Sequence, residues 1–251
     1  MRTFKIVLLT AIIATSALAQ STAPPLADTR LTVHTLLRED IFAGYQQNDL
    51  ARLTRGEKNI ELLLQQRPKA KADLLAWKAG ATLYRAVLAN DKKDRAEFER
   101  KYKEAQSLFA EANVPNSGGT GVDAITGGSN LFFADRLPKE FRARAWASAY
   151  DAYQAMWKEQ GAFVDKLPIH MRGELLGGVA ESALRTGHPK EGNEALDKIL
   201  AMLPGTPYEP IAKKWKENPK AAENSSIACM TCHEPGRLED RMTKLNRNSS
   251  R

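Results

Sequence analysis

The chain has 251 residues, with 37 Lys and Arg against 30 Asp and Glu, a formal charge of +7 and 43% hydrophobic residues. That length and apolar content suffice for one helical domain with a sizeable core. Charges of both signs are interspersed without a concentrated basic patch, which argues against nucleic acid as a partner. After the first residues no stretch is continuously apolar over the ~20 residues that a membrane-spanning helix needs.

Arg2 and Lys5 precede an apolar run, Ile6 to Ile13, broken only by Thr10; Ala17-Leu18-Ala19 then offers a small-x-small cleavage site before Gln20. This is the pattern of a secretory signal peptide over 1–19, and it predicts a periplasmic or secreted protein cleaved between Ala19 and Gln20. Position 20 is Gln rather than Cys, so lipoprotein processing is not suggested. Arg2 and Lys5 account for two of the seven net positive charges, so the cleaved chain carries +5 before its termini are counted. A modest positive charge of this kind can steer association with an acidic partner. Residues 20–30, which include Pro24-Pro25, read as a flexible leader.

From Leu31 onward the periodicity is helical. Leu50, Leu53, Ile60, Leu63 and Leu64 fall on one helical face. Leu74, Trp77, Ala81, Tyr84 and Leu88 alternate steps of three and four; so do Phe98, Tyr102, Ala105, Phe109 and Ala112, then Trp146, Tyr150, Tyr153 and Trp157. Leu176, Val179 and Ala183 mark one late helix, and Leu196, Ile199, Leu200 and Leu203 the next. Such stripes are packing surfaces. No alternating strand pattern is found, and the fold class is all-α. The glycine-rich stretch Pro115 to Pro138 reads as a long loop; with no preceding strand and no closing Gly-Lys-Ser/Thr it does not make a phosphate cradle. Residues 205–226 read as a linker with a short helix around Ile211 to Lys216, and 247–251 as a disordered tail.

Gly44, Gly56 and Pro68 occur twelve residues apart, where a paired-helix repeat needs two small residues and a terminating proline. Ala105, Phe109 and Ala112 give a small-large-small second helix, and Leu176 through Gly187, Gly192, Leu196, Ile199 and Pro204 repeat the register. On these residues the region 31–204 resembles the tetratricopeptide repeat family, with an apparent insertion at 91–95 and a poor fit over 138–160. The resemblance implies an α-solenoid of helical hairpins that serves as a protein-binding scaffold. Its stripes supply a core by themselves, so the body ending near Pro204 is expected to fold without the residues that follow.

The only two cysteines lie in Cys229-Met230-Thr231-Cys232-His233, within a C-terminal segment spanning 227–246. C-x-x-C-H is the attachment pattern of a c-type haem: two thiols bond the porphyrin edge and the adjacent imidazole ligates iron. Zinc would need a second ligand pair, which the chain does not offer. A thioredoxin-type redox pair belongs on a βαβ unit, and none is predicted. A plain disulfide fits an oxidising compartment but leaves His233 unexplained. The segment thus resembles the haem-attachment site of c-type cytochromes, which implies one covalent haem c held by Cys229 and Cys232 with His233 as metal ligand.

Only 18 residues follow His233, too few to fold over the porphyrin, so the sixth ligand stays open. Met242 is nearest, but it forms an i, i+4, i+7 stripe with Leu238 and Leu245 and reads as a packing residue. Met230, between the two cysteines, cannot readily reach the opposite face. His34, His170, Met171 and His188 become candidates if the C-terminal segment folds back on the repeats, and no sixth ligand is the remaining case. The expected function is periplasmic electron transfer with a redox partner protein or respiratory complex docked on the repeats. Two other functions compete. One is a non-haem scaffold with a Cys229–Cys232 disulfide; the other is an open-site haem enzyme or sensor, for which no distal His-Arg pair can be placed.

Overall fold

The computed structural model of the chain describes residues 23–113, 119–228 and 236–249. The predicted signal peptide lies outside them. Ten α-helices are present among the described residues: α1 (Val33–Gln47), α2 (Leu50–Gln66), α3 (Lys71–Asp91), α4 (Arg95–Ala112), α5 (Thr120–Ala134), α6 (Lys139–Gln160), α7 (Ile169–Arg185), α8 (Pro189–Met202), α9 (Tyr208–Glu217) and α10 (Arg237–Ser249). There is no strand among them. The helices pack as four successive hairpins, α1–α2, α3–α4, α5–α6 and α7–α8, and each hairpin leans on the next. This is an all-α, solenoid-like arrangement of helical hairpins.

Small residues set how closely each hairpin closes. A Cβ on Gly44 would lie 2.8 Å from Leu53 Cβ, and one on Gly56 would lie 2.8 Å from Ile41 Cδ1, so α1 and α2 approach to backbone distance at the two repeat-spaced glycines. Asp40, buried on α1, is satisfied by Arg52 at 2.9 Å and by Arg55 at 2.6 Å, both from α2. A buried carboxylate needs such partners to offset its lost hydration. Asn48, in the left-handed region at φ 53°, ends α1, and Asp49 caps α2 through the Arg52 N–H. Gly192 serves the last hairpin in the same way, its Cα facing Leu184 and the Ala180 carbonyl.

Four expectations need correction. The stretch read as a long glycine loop contains α5, and its glycines are packing devices. A Cβ on Gly127 would meet the Tyr153 ring of α6 at 2.8 Å. Small side chains let α5 sit tightly between its neighbours, and that gain offsets the helix-propensity cost of about 1 kcal/mol per glycine. Residues 205–226 are not a linker: α9 buries Tyr208, Ala212 and Trp215 in the same core cluster as α6, α7 and α8. The body therefore does not end at Pro204. Residues 23–30 are held rather than loose, since the Arg67 guanidinium donates to the carbonyls of Leu26 at 2.6 Å, Asp28 at 2.9 Å and Leu31 at 2.6 Å. Finally, α10 continues to Ser249, three residues into the tail expected to be disordered.

Within α6 the helix assignment holds but the stripe is displaced. Its buried residues are Ala145, Ala149, Ala152, Tyr153 and Met156. Trp146, Tyr150 and Trp157 lie half-buried at the edge against α7 and α8: Arg185 stacks over Trp146, Tyr150 stacks on His188, and Lys198 sits over Trp157.

Candidate functional site

Cys229, Cys232 and His233, with Met230, lie outside the described residues; the chain on either side of them does not. Before the pentad, Glu181 of α7 reaches residues 226–228. Its Oε2 accepts the Ser226 hydroxyl at 2.7 Å, the Ile227 N–H at 2.9 Å and the Ala228 N–H at 3.1 Å. Gly177, one turn earlier on α7, leaves room for the same strand of chain: a Cβ there would lie 3.1 Å from the Ile227 carbonyl oxygen and 3.5 Å from Ala228 Cα. Ile227 and Ala228 are buried. Burial raises the Glu181 carboxyl above its ordinary range, while the Ser226, Ala228 and Ile227 donors and the nearby Arg185 pull it back down.

Beyond the pentad, the chain is tied to the opposite end of the sequence. Gly236 turns at φ 84°, the Leu238 N–H donates to Glu39 Oε1 of α1 at 2.7 Å, and Leu238 is buried in the core cluster built by α1 to α5. Met242 and Leu245 pack partly buried against that cluster. The i, i+4, i+7 stripe is thus a packing surface, as its periodicity predicts.

Between these two anchoring helices lies a cavity of about 330 Å³. Its walls come from α1 (His34, Arg38, Phe42, Tyr45), α3 (Trp77), α5 (Thr120 to Phe132), α6 (Met156, Gln160) and α7 (His170, Met171, Glu174). The volume is at the lower end of the range for small-molecule and cofactor pockets, and the lining is of the usual kind, apolar and aromatic with a few convergent polar groups. Among the latter, Tyr45 is 5% exposed and its hydroxyl has no hydrogen-bond partner among the described residues. Glu174 is buried and accepts the Tyr153 hydroxyl at 2.7 Å. An orphaned buried hydroxyl costs about 1–3 kcal/mol and marks a place where an occupant can supply the missing partner.

The remaining candidates separate by environment. His34 lines the cavity, but Trp77 Nε1–H donates to its Nδ1 at 3.1 Å and its Nε2 lies 3.3 Å from Asp73 Oδ1. Both ring nitrogens are engaged, which fixes the tautomer with the proton on Nε2. His188 stacks on Tyr150 with ring centroids 4.4 Å apart, bonds the Thr186 hydroxyl at 3.0 Å, and is not among the residues lining the cavity. His170 and Met171, in the first turn of α7, do line it. Sequence reading missed Glu181, Glu39 and Tyr45. Glu181 sits between Ala180 and Ser182 within an apolar stripe, and a buried acidic residue among small ones is a signal of an internal anchor. Among the described residues no group of three or more His, Cys, Asp or Glu side chains is arranged to hold a metal ion, and no helix is long and apolar enough to cross a membrane. Compared with known protein families, curated proteins and solved structures, the chain matches none.

Proposed function

We propose that this is an exported c-type haem protein on a tetratricopeptide-like scaffold, carrying one haem c on Cys229 and Cys232 with His233 as iron ligand. Its role in this reading is electron transfer with a partner protein docked on the repeats. The single observation that carries the reading is the way the chain flanking the C-x-x-C-H pentad is held, by Glu181 on one side and by Glu39 on the other, on the two helices that wall an apolar cavity.

The cavity residues suit a porphyrin in three respects. Phe42, Trp77 and Phe132 offer aromatic surface for a flat apolar ring, Arg38 offers a cation for a carboxylate, and the orphaned Tyr45 hydroxyl offers a hydrogen bond. A cavity of this size takes part of such a ring, and the C-terminal segment would cover the rest. When bound, haem supplies a one-electron iron couple tuned by its axial ligands and by burial. The chain's own contribution is then positional. Glu181 and Gly177 fix the approach of residues 226–228, Leu238 fixes the departure, and the apolar walls exclude water.

The test is to export the full chain with a haem-ligation system and titrate it spectroelectrochemically. A haem that survives acid–organic extraction and titrates reversibly with a single electron supports the reading. A purified chain with no haem spectrum, whose mass is two hydrogens short, would assign the cysteines to a disulfide. Covalent haem that turns over peroxide would favour the open-site enzyme.

A further inference from the structure

We infer that the cavity between α1, α3, α5 and α7 is a binding site for a small neutral aromatic molecule with one oxygen acceptor, such as an aromatic ketone, recognised by the Tyr45 hydroxyl. This goes beyond the haem reading and does not rest on it, since the residues that carry it all belong to the repeat helices. Size is the first constraint. An apolar cavity of about 150 Å³ takes one benzene ring, so one of about 330 Å³ holds a molecule of one or two rings whole. The walls set its character, with Phe42, Trp77 and Phe132 beside Ile125 and Met156. Phe42 meets Trp77 edge-on at 5.7 Å and Tyr45 edge-on at 5.5 Å between ring centroids. A ring inserted among such partners gains stacked or edge-to-face contacts beyond its area burial.

The polar end of the site lies at Gly80 of α3. A Cβ there would lie 2.9 Å from the Tyr45 hydroxyl oxygen and 2.6 Å from Ser129 Oγ, so the missing side chain leaves room beside two hydroxyls. Tyr45 and Ser129 are 5% and 8% exposed, and both line the cavity. The Tyr45 hydroxyl has no hydrogen-bond partner among the described residues. Burial, and then the field of Glu57, hold it protonated well above the ordinary tyrosine range, so it is a donor in need of an acceptor. The same field disfavours an anion, which selects a carbonyl over a carboxylate. The neighbouring indole donor is spent, since Trp77 Nε1–H donates to His34 Nδ1 at 3.1 Å. Arg38, His170 and Glu174 also line the cavity but already have interaction partners within the protein, and the recognition assigned here uses none of them.

The test titrates the full exported chain by calorimetry with three probes. These are acetophenone, α-methylstyrene, in which a methylene of the same shape replaces the ketone oxygen, and benzoate. Acetophenone should bind about tenfold tighter than α-methylstyrene, the effect of one hydrogen bond to an otherwise orphaned buried hydroxyl. Benzoate should bind more weakly than acetophenone. Tyr45→Phe should bind acetophenone and α-methylstyrene about equally, and should melt no lower than wild type, because it keeps the ring and removes the orphaned hydroxyl. No binding of acetophenone at millimolar concentration, a tenfold preference that survives in Tyr45→Phe, or tighter binding of benzoate would each overturn the inference. So would a Tyr45→Phe chain that melts well below wild type, since the hydroxyl would then serve the fold and not a ligand. Haem content is read by intact mass on the same samples, so the haem reading stands or falls separately.

Discussion

Glu181 is the residue whose removal should report most clearly on how the C-terminal segment is held. Replacing it with Leu keeps a side chain of similar size but removes the acceptor for two backbone N–H groups and one hydroxyl. If residues 226–228 stayed in place, two buried N–H groups would be orphaned at about 1–3 kcal/mol each. If they peeled away instead, the chain would forfeit the burial of Ile227, worth about 1.5–3 kcal/mol. The two costs overlap, and detachment also gives the freed amides water, so detachment is the expected outcome, with a loss near 2–3 kcal/mol. For a chain of this size that corresponds to a drop in Tm of about 4–12 °C. Amide hydrogen exchange should show protection lost at 227 and 228 while α1 and α3 remain protected. Glu181→Gln, which retains an acceptor, should fall between wild type and Leu. Unchanged protection at 227 and 228 in the Leu variant would refute the anchoring role.

The same carboxyl gives a pH prediction. Burial raises its folded pKa above the ordinary Glu value, so its contribution to stability is complete below that value and is lost as pH rises through the raised one. The stability advantage of wild type over Glu181→Gln, followed by thermal denaturation, should therefore shrink with rising pH across that window; an advantage that grows would contradict the assignment. Gly178→Ala should cost upwards of ~3 kcal/mol in chemical denaturation, because its Cβ would lie 1.9 Å from the buried Tyr153 ring. Gly187→Ala, with nothing within 4 Å but φ +82°, should cost only the ~1–2 kcal/mol of left-handed strain. Trp215→Ala should lose about 3–5 kcal/mol, since α9 belongs to the core; a near-neutral result would restore the linker reading of 205–226. Met242→Leu should change stability by less than about 1.5 kcal/mol and leave any haem spectrum intact.

Most of the fold was legible wherever burial was written in large side chains at helical spacing. Leu74, Trp77, Ala81 and Tyr84 of α3 and Phe98, Tyr102, Ala105, Phe109 and Ala112 of α4 are all buried, as their stripes predict. Gly44 and Gly56 mark the α1–α2 crossing at the repeat spacing. What could not be read was burial achieved by the absence of a side chain. Helix α5 presents Gly127, Gly128 and Ser129 where a packing face would ordinarily carry Leu or Phe, so hydrophobic periodicity is silent there and glycine content suggests a loop. The stretch 205–226 misleads for a different reason. Its prolines Pro207, Pro210 and Pro219 fall at the N-cap, in the first turn of α9 and at the start of a 3₁₀ helix, positions where no intrahelical N–H is required.

The candidate site divides in the same way. The pentad and the packing stripe of α10 are local patterns, open to sequence reading. The cavity is not local: it joins His34 and Tyr45 to His170 and Glu174 across more than a hundred residues, and no spacing along the chain encodes that meeting. Nor does spacing reveal that the α7 carboxylate at 181 and the α1 carboxylate at 39 hold the chain on either side of 229–235.

The central claim is that Cys229 and Cys232 carry a covalent haem, and intact mass under denaturing conditions tests it most directly. Exported with active haem-ligation machinery, the wild-type chain should exceed its polypeptide mass by one haem, and the double variant Cys229→Ala, Cys232→Ala should show the polypeptide mass alone. A wild-type mass equal to the bare chain, or to the chain less two hydrogens, would contradict the account.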